Sequence, residues 1–418
     1  MKRIFVFILI STIFYLNIFS QNIKNQPIES ERDDTSIIVP PDYERAVEEM
    51  NNDWLINRMI TQKCNRDAAT PVFYDDSVYI RRLQQLPYRI EMPYNSVVRS
   101  FIDRYAKNIR QVEYMVGLGE SYYFPIFETA LAKYDLPLEL KYLPIIESAL
   151  NSRALSRAGA GGLWQFMVAT GRTYGLEVNS LVDERCDPVK SSDAAARYLR
   201  DLYNIYNDWQ LVIAAYNCGP GNVARAIRNA GGKTNYWEIY PYLPRETRGY
   251  VPIFIAANYI MNFYQKHNMC PATPPFVQVT DTINITKRIH FEQIATVLNV
   301  PIEELRFLNP QYRQDIIPGN IKQYSLVLPM NLVSSFSVNL DSIIAFRADE
   351  LTAKQIVIEP SGAASSQYGG GVIYYKVRNG DVLGKIAKKY GVTTNQIKKW
   401  NGMKKDSIYV GQRLKIYR

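Results

Sequence analysis

The chain has 418 residues, 47% of them hydrophobic, so it is long enough for two to four domains with buried cores. Its four cysteines lack the close spacing of a zinc site and only two histidines could assist them, so we expect no metal and no other cofactor. The formal net charge of +9 is concentrated in residues 373–418, which contain twelve basic and two acidic residues. Such a basic segment is suited to bind an anionic polymer.

The first twenty residues have the pattern of a secretory signal. Lys2 and Arg3 precede an apolar run over residues 4–19, and Ser20 is a small residue at the expected cleavage point. The run is shorter than the ~20 apolar residues of a spanning helix. An uncleaved segment that associates the protein with a membrane is the second interpretation. In either case we expect an exported protein of the periplasm or cell envelope.

Export also bears on the cysteines and on the basic tail. Disulfides persist outside the cytosol, and four cysteines allow three complete pairings, with free buried thiols as the alternative. The cysteines are Cys64, Cys186, Cys218 and Cys270. A secretory signal argues against nucleic acid as the partner of the basic tail, so we expect none.

Helical patterns dominate the chain up to about residue 275. Residues 21–95 are predicted to be a flexible polar lead followed by a helical extension, and amphipathic helices follow over residues 96–275. Asp187 and Pro188 mark the start of a predicted helix that continues to Tyr206.

The C-terminal part contains an internal repeat with a shift of 92 residues. The aligned pairs include Ile294 with Ile386, Leu305 with Ile397, Asn309 with Asn401, and Gly319 with Gly411. Each copy predicts a strand, two short helices and a closing strand, which is a small α+β (βααβ) module. We place the copies at residues 281–330 and 373–418, with a linker over residues 331–372 that ends in glycine and serine.

One carboxylate in the helical region has unusual neighbours. Glu147 shares a predicted helical stripe with four leucines, at spacings of 4 and 3. The leucines are Leu136, Leu140, Leu143 and Leu150. Such a carboxylate costs free energy unless it is paired or does chemistry, and burial raises its pKa towards that of a general acid. The alternative is a core glutamate that an arginine or a backbone amide satisfies.

Three further motifs follow Glu147-Ser148 in the sequence. They are Ser156-Arg157-Ala158-Gly159-Ala160-Gly161-Gly162-Leu163-Trp164-Gln165, Ala215-Tyr216-Asn217, and Glu246-Thr247-Arg248-Gly249-Tyr250-Val251. The three glycines predict backbone that passes close to another group, such as a ligand. Together the four motifs resemble the soluble lytic transglycosylase domain, a lysozyme-like domain of glycoside hydrolase family 23. The two repeats resemble LysM modules.

The resemblance implies a mainly α, lysozyme-like catalytic domain with a cleft for peptidoglycan glycan strands. It maps the catalytic acid/base onto Glu147, which would protonate the leaving oxygen of the β-1,4 bond between N-acetylmuramic acid and N-acetylglucosamine. Glu147 would then take the proton of the muramoyl C6 hydroxyl, which attacks C1 and leaves a 1,6-anhydromuramoyl end. One carboxylate suffices for this reaction, whereas most glycosidases use two.

The resemblance also implies residues that contact the substrate. In the catalytic domain these are Ser156, Gln165, Met167, Tyr216, Asn217 and Tyr250, and in the terminal module they are Asp381 and Asn401. The commonest form of the glycine motif has Met where this chain has Trp164. We expect the protein to act as a monomer.

Two other functions stay open on the sequence. A hydrolysing muramidase of the goose-type lysozyme kind would need a second carboxylate to activate water, for which the candidates are Asp183, Glu184 and Asp187. A non-catalytic wall-binding protein would use the repeats alone, and the presence of Glu147 argues against it.

Overall fold

The computed structural model describes residues 41–51, 60–61, 70–87, 89–274, 279–352, 372–377, 381–390, 392–403, 406–409 and 411–417. The predicted signal segment, most of the polar lead, Cys64 and the glycine-rich end of the predicted linker lie outside the described residues. Within these described ranges, no helix is both long enough and apolar enough to cross a membrane.

Helices form most of the described chain up to residue 267. They are α1 (Pro41–Asn51), α2 (Asp76–Gln85), α3 (Ser96–Lys107), α4 (Ile109–Leu118), α5 (Phe124–Ala132), α6 (Leu143–Ser148), α7 (Val168–Thr173), α8 (Pro188–Tyr206), α9 (Trp209–Cys218), α10 (Pro220–Asn229), α11 (Tyr236–Ile239), α12 (Arg245–Arg248) and α13 (Tyr250–Phe263). The prediction of a helix from residue 188 to Tyr206 is confirmed. Asp187 caps it, because its carboxylate accepts hydrogen bonds from the amides of Val189 and Lys190, both at 2.9 Å.

The described residues of 63–112 and 206–270 form the first of two compact units. Its central helix is α13, in which twelve of the fourteen residues are buried. A helix that is apolar on all sides belongs in the middle of a core, and α13 packs along α3. The Asn95 side chain caps α3 by accepting a hydrogen bond from the amide of Val98 at 2.9 Å.

The described residues of 42–62, 113–205 and 271–418 form the second unit. A π-helical turn (Gly119–Tyr123) joins α4 to α5, and a 3-10 helix (Leu138–Tyr142) precedes α6. Two short strands pair antiparallel, β1 (Ile60–Thr61) with β2 (Ala272–Thr273).

The first repeat and the segment after it, up to residue 351, lie within the second unit, where the described residues form four strands and five α-helices, besides a 3-10 helix (Arg313–Asp315). They are β3 (Thr280–Ile285), β4 (Arg288–His290), α14 (Phe291–Leu298), α15 (Ile302–Leu308), β5 (Ile316–Pro318), β6 (Tyr324–Pro329), α16 (Met330–Val338), α17 (Leu340–Ala345) and α18 (Ala348–Leu351). Strand β3 pairs antiparallel with β6, and β4 with β5. Ile289, Phe291 and Leu305 are among the buried residues of its core.

Helices α16 to α18 occupy a segment that was expected to be linker. Phe336 and Ile343 are buried in the core of the first repeat, and the Gln293 amide donates to the carbonyls of Ile344 (3.1 Å) and Phe346 (2.8 Å). The prediction of a linker from residue 331 therefore does not describe residues 331–351. Their apolar side chains cover the face of α14 instead.

The terminal module has a separate apolar core. Strand β7 (Val372–Lys376) pairs antiparallel with β8 (Arg413–Tyr417), and α19 (Leu383–Tyr390) and α20 (Thr394–Asn401) lie between them in sequence. The core residues are Val377, Leu383, Ile386, Ala387, Ile397, Leu414 and Ile416. A capping box between Thr393 and Gln396 starts α20. The order of elements is the predicted βααβ order.

Candidate active site

Glu147 lies in α6, a helix of six residues that is shorter than the sequence predicts. The predicted single helical stripe over residues 136–150 is wrong, because Pro144 has no amide proton and is accommodated only in the first turn of a new helix. Ala149 (φ 49°) and Leu150 (φ 62°) adopt left-handed conformations and end that helix. All four leucines of the stripe are nevertheless buried, whereas Glu147 is only half-buried.

Ser148 connects α6 by a hydrogen bond to Leu163, the residue directly after the glycine run. Its side chain is fully buried, and its hydroxyl lies 3.0 Å from the carbonyl oxygen of Pro144 and 2.9 Å from that of Leu163. The position of the adjacent Glu147 therefore depends on the conformation of the loop that contains Leu163.

Arg185 explains the glycine run. A Cβ atom on Gly162 would lie 1.8 Å from the carbonyl oxygen of Arg185, and one on Gly161 would lie 3.0 Å from its guanidinium carbon. Only glycine fits such an approach, and Gly162 also has a positive φ of 81°. The close approach that the sequence predicts is thus made to Arg185 by Gly161 and Gly162, whereas a Cβ atom on Gly159 would have no atom within 4 Å.

Ser156 and Gln165 brace the same loop. The Ser156 amide donates to the carbonyl of Ala160 at 2.7 Å, and the Ser156 hydroxyl accepts from the amide of Ala160 at 2.9 Å. The Gln165 amide donates to the carbonyl of Gly162 at 2.8 Å. Its Oε1 atom is buried without a hydrogen-bond partner among the described residues.

Two large apolar residues near Gln165, Trp164 and Met167, differ in exposure. Trp164 is fully buried, donates its indole N–H to the Ser192 hydroxyl at 2.9 Å and packs edge-on against Phe127. Trp164 is thus a core residue beneath the loop. Met167 is 46% exposed, which is unusual for a large apolar side chain and leaves it accessible to a ligand.

A buried ion pair that the motifs did not predict holds the loop from below. Arg185 donates Nη1 to the carbonyl oxygens of Gly159 (2.7 Å) and Phe166 (2.8 Å), and it donates Nε (2.9 Å) and Nη2 (2.8 Å) to the Asp183 carboxylate. Burial alone would raise the pKa of Asp183, but the hydrogen bonds and charges of Arg185 and Arg313 outweigh it and lower that pKa. No periodicity marks such a pair.

The other two candidates for a second carboxylate are also engaged. Glu184 accepts hydrogen bonds from the Glu177 amide at 2.8 Å and from the Lys190 ammonium at 2.5 Å. Asp187 is the cap of α8, and burial raises its pKa, against the opposing effect of Lys190. All three candidates from the sequence thus accept hydrogen bonds from other groups of the second unit.

The remaining predicted contacts belong to the first unit. Tyr216 is half-buried and Asn217 exposed in the last turn of α9, which ends before Gly219 (φ 81°). Tyr250 is buried as the first residue of α13. Each unit therefore holds a part of the predicted set, with Glu147 in the second unit.

In the terminal module, both predicted residues have contacts within the module. The Asp381 carboxylate accepts a hydrogen bond from the Tyr375 hydroxyl at 2.7 Å. The Asn401 amide donates to the carbonyls of Ile397 (2.8 Å) and Lys415 (2.7 Å), which joins α20 to β8. Contact of either residue with a glycan stays a prediction.

The cysteines divide into two classes. Cys270 is disulfide-bonded, whereas Cys186 and Cys218 are free thiols. Burial raises the pKa of Cys186 to about 12, so it stays protonated and unreactive at neutral pH. In the part of the chain that the structure describes, no group of three or more His, Cys, Asp or Glu side chains is arranged to hold a metal ion.

Three regions of the chain match known families. Residues 124–239 match the Transglycosylase SLT domain, residues 279–345 match the family described as Lytic transglycosylase MltD, LysM-like domain, and residues 375–416 match the LysM domain. By this domain content the chain is a lytic transglycosylase with two LysM-type modules.

Individual proteins show the same relationship. The chain is 28% identical over 332 residues to membrane-bound lytic murein transglycosylase D of Escherichia coli K12. The aligned region covers 78% of this chain and 70% of that protein. It is 60% identical over 42 residues to the probable peptidoglycan endopeptidase LytE of Bacillus subtilis, 10% of this chain and 13% of that one. The crystal structure of soluble lytic transglycosylase SLT70 from E. coli aligns with a TM-score of 0.33 and 24% identity, over 40% of this chain and 28% of that chain.

Proposed function

We propose that the protein cleaves the β-1,4 bond between N-acetylmuramic acid and N-acetylglucosamine in peptidoglycan and leaves 1,6-anhydromuramoyl ends. Glu147 is the single acid and base of this reaction. The observation that carries the proposal is the setting of Glu147. It is half-buried in α6, next to the buried Ser148 whose hydroxyl contacts the carbonyl of Leu163, and it lies in the region that matches the Transglycosylase SLT domain. The similarity to a murein transglycosylase supports the choice of substrate.

The reaction needs two proton transfers, and Glu147 takes part in both. Glu147 in its acid form protonates the glycosidic oxygen as the bond to C1 breaks. The resulting carboxylate then accepts the proton of the muramoyl C6 hydroxyl, whose oxygen forms the new bond to C1. Glu147 is thereby returned to its acid form, and no water is consumed.

The engaged carboxylates favour this reaction over hydrolysis. A hydrolase of two carboxylates needs the second one accessible to water or to C1. Asp183 gives both oxygens to Arg185, and Asp187 is the cap of a helix. We therefore keep the hydrolysing muramidase only as the outcome that would overturn the proposal.

The predicted contact residues, some in each unit, are proposed to bind the glycan strand. Met167 offers an exposed apolar surface on which a sugar ring can lie, and Asn217 offers an exposed amide. Ser156, Gln165, Tyr216 and Tyr250 are proposed to orient the strand directly or to support the residues that do. Asp381 and Asn401 are proposed to belong to the glycan-binding surface of the terminal module.

We place this activity in the cell envelope, where its substrate is. The E. coli relative is membrane-bound by its name, and association of this chain with a membrane through its first residues is part of the proposal. The proposed partner is the glycan strand, with no nucleic acid involved, and the proposed active form is the monomer.

Digestion of purified sacculi tests the chemistry. We expect mass spectrometry to find anhydromuramoyl ends, and the Glu147→Gln variant to release them about 10²–10⁴-fold more slowly, the range for loss of a general acid or base. Glu139→Gln is the matched control, because Glu139 lies on the preceding 3-10 helix. Reducing muramic acid ends would overturn the transglycosylase assignment, and unchanged release by Glu147→Gln would overturn the role of Glu147.

Binding to sacculi tests the terminal module. A chain ended after residue 352 should bind insoluble peptidoglycan more weakly than the full chain. Since the module is basic, the comparison is repeated at high salt, which screens charge attraction but leaves glycan contacts. Equal binding by the two chains would remove this role from the module.

A further inference from the structure

We propose that Arg313 of the first LysM-like repeat is a positioning residue for the transglycosylase reaction, acting through Asp183 and Arg185 on the loop beside Glu147. The inference rests on the proposed function of Glu147. It assigns to this repeat a structural part in the active site, which is distinct from glycan binding.

The first repeat contacts the segment 177–187 at several points within the second unit. Arg313 donates its backbone amide to the carbonyl of Leu181 at 2.7 Å, and the amide of Asp183 donates to the carbonyl of Gln311 at 2.8 Å. A bridge between the backbones of Val182 and Tyr312 lies between these bonds. The repeat thus extends the backbone pairing of a catalytic-domain segment.

Side chains strengthen this contact at its two ends. At one end, the Tyr324 hydroxyl donates to the Glu177 carboxylate at 2.8 Å, and the Lys322 ammonium lies 2.6 Å from the same carboxylate. At the other end, the Arg313 guanidinium forms an ion pair with Asp183. The Arg313 side chain is 40% exposed, whereas the Asp183 side chain is only 3% exposed.

Arg313 gives the buried Asp183 carboxylate a second guanidinium partner beside Arg185. Asp183 accepts from Arg185, and Arg185 donates to the carbonyls of Gly159 and Phe166 at the two sides of the loop. The backbones of Gly161 and Phe166 bond to each other, and Leu163 between them contacts Ser148. A buried charge-assisted network is rigid only when each member is satisfied.

The chemistry makes such a brace useful. The glycosidic oxygen must lie within hydrogen-bond reach of Glu147, and displacement of a catalytic group by 1 Å can cost about 10²-fold in rate. The loop conformation sets the position of Ser148, and Ser148 follows Glu147 directly. Loss of Arg313 should therefore lower kcat and leave KM and binding to sacculi nearly unchanged.

The test compares two substitutions at the same contact. Arg313→Ala removes one of the two guanidinium partners of Asp183 and leaves Arg185 as the other. Lys322→Ala removes an ion pair with Glu177 that does not lead to Arg185. We expect Arg313→Ala to lower kcat by about 10- to 100-fold, Arg313→Lys to restore part of it, and Lys322→Ala to lower it by less than about 2-fold.

Amide hydrogen exchange gives a readout that does not depend on activity. Residues 159–166 should exchange faster in Arg313→Ala than in the wild type and at the wild-type rate in Lys322→Ala. Unchanged exchange and kcat in Arg313→Ala, or equal effects of both variants, would overturn the inference. Failure of Glu147→Gln to lose activity would overturn the proposed function alone, since exchange still tests the brace.

Discussion

The two LysM-type copies share an internal asparagine contact but differ in charge, in exposure and in what surrounds their cores. In the first copy, Asn309 donates to the carbonyls of Leu305 (3.0 Å) and Val327 (2.8 Å). Asn401 makes the equivalent pair of bonds in the terminal copy, between α20 and β8. The same asparagine contact therefore occurs in two different settings. The core of the first copy includes Leu181 and Val182 from outside the repeat, whereas the core of the terminal copy contains only its own residues.

Charge and exposure follow the same division. Residues 281–330 hold five basic and five acidic residues and are neutral, whereas residues 373–418 carry +10. Ile317 is fully buried in the first copy, and the residue aligned with it, Tyr409, is 72% exposed in the terminal copy. This difference fits the proposed roles, which are a brace on a neighbouring loop for the first copy and binding to an anionic wall polymer for the terminal copy.

Truncation should separate the two copies most strongly. A chain ended after residue 352 retains the contact between Tyr312 and Val182, and a chain ended after residue 274 loses it. Exposure of Leu181 and Val182 alone costs about 1.5–3 kcal/mol for each side chain. We expect the shorter chain to aggregate or to unfold at a clearly lower temperature by circular dichroism. Equal unfolding temperatures for the two chains would contradict the structural part of the first copy.

The second largest difference is expected at the aligned glycines, Gly319 and Gly411, where alanine should destabilise the two copies by different amounts. A Cβ atom on Gly319 would lie 2.3 Å from the carbonyl oxygen of Lys287, whereas Gly411 has no atom within 4 Å of such a Cβ and a φ of 90°. Gly319→Ala should cost about 3 kcal/mol of unfolding free energy through overpacking. Gly411→Ala should cost about 1–2 kcal/mol, the price of a left-handed residue. Urea unfolding measures both, and a larger cost at Gly411 would reverse the comparison.

The aligned asparagines test the shared device itself. Asn309 is fully buried, so Asn309→Ala should cost about 2–3 kcal/mol because buried backbone groups lose their partners. Asn401 is half-buried, and its replacement by alanine should cost about 1 kcal/mol. Thermal unfolding with a probe on each module measures the two costs. If Asn401→Ala abolishes binding to sacculi without destabilising its module, Asn401 is a glycan contact rather than an internal brace.

The sequence predicts those parts of the molecule that depend on local pattern. Asp187 and Pro188 lie next to each other, so the start of α8 could be predicted from them. The repeat could be found because a shift of 92 residues aligns apolar, asparagine and glycine positions of the two copies with residues of the same kind. Glu147 could be singled out because its leucine neighbours are buried even though they do not share one helix. The start of α8 and the surroundings of Glu147 each depend on residues within one short stretch of the chain, and the repeat depends on two such stretches with the same local pattern.

Contacts between distant residues could not be predicted in this way. The glycine run indicates a close approach, but only the fold identifies Arg185, more than twenty positions later, as the group approached. The sequence shows that residue 183 is an aspartate, which makes it a candidate for catalysis. It does not show that Asp183 pairs with Arg185 and Arg313. Helices α16 to α18 are short, and the sequence does not show that apolar residues of this segment pack into the core of the first repeat, where α14 lies.

The smallest expected difference between the copies is one of pH. His290 caps α14 by accepting a hydrogen bond from the Glu292 amide at 3.0 Å, and the aligned residue in the terminal copy, Val382, cannot titrate. Burial lowers the pKa of His290, against the opposing charges of Asp315 and Glu292 and with the help of Arg306.

A lowered histidine pKa means that the unfolded chain binds the proton more readily than the folded one. The first copy should therefore lose stability as the pH falls through the unfolded value of about 6.5 and down to the folded value, and it should gain nothing further above 6.5. His290→Asn keeps a capping side chain and removes the titration. Unfolding temperatures measured from pH 7.5 to 5 should converge for the two proteins as the pH falls, because the wild type loses the larger share. Parallel curves would show that His290 does not distinguish the first copy from the second.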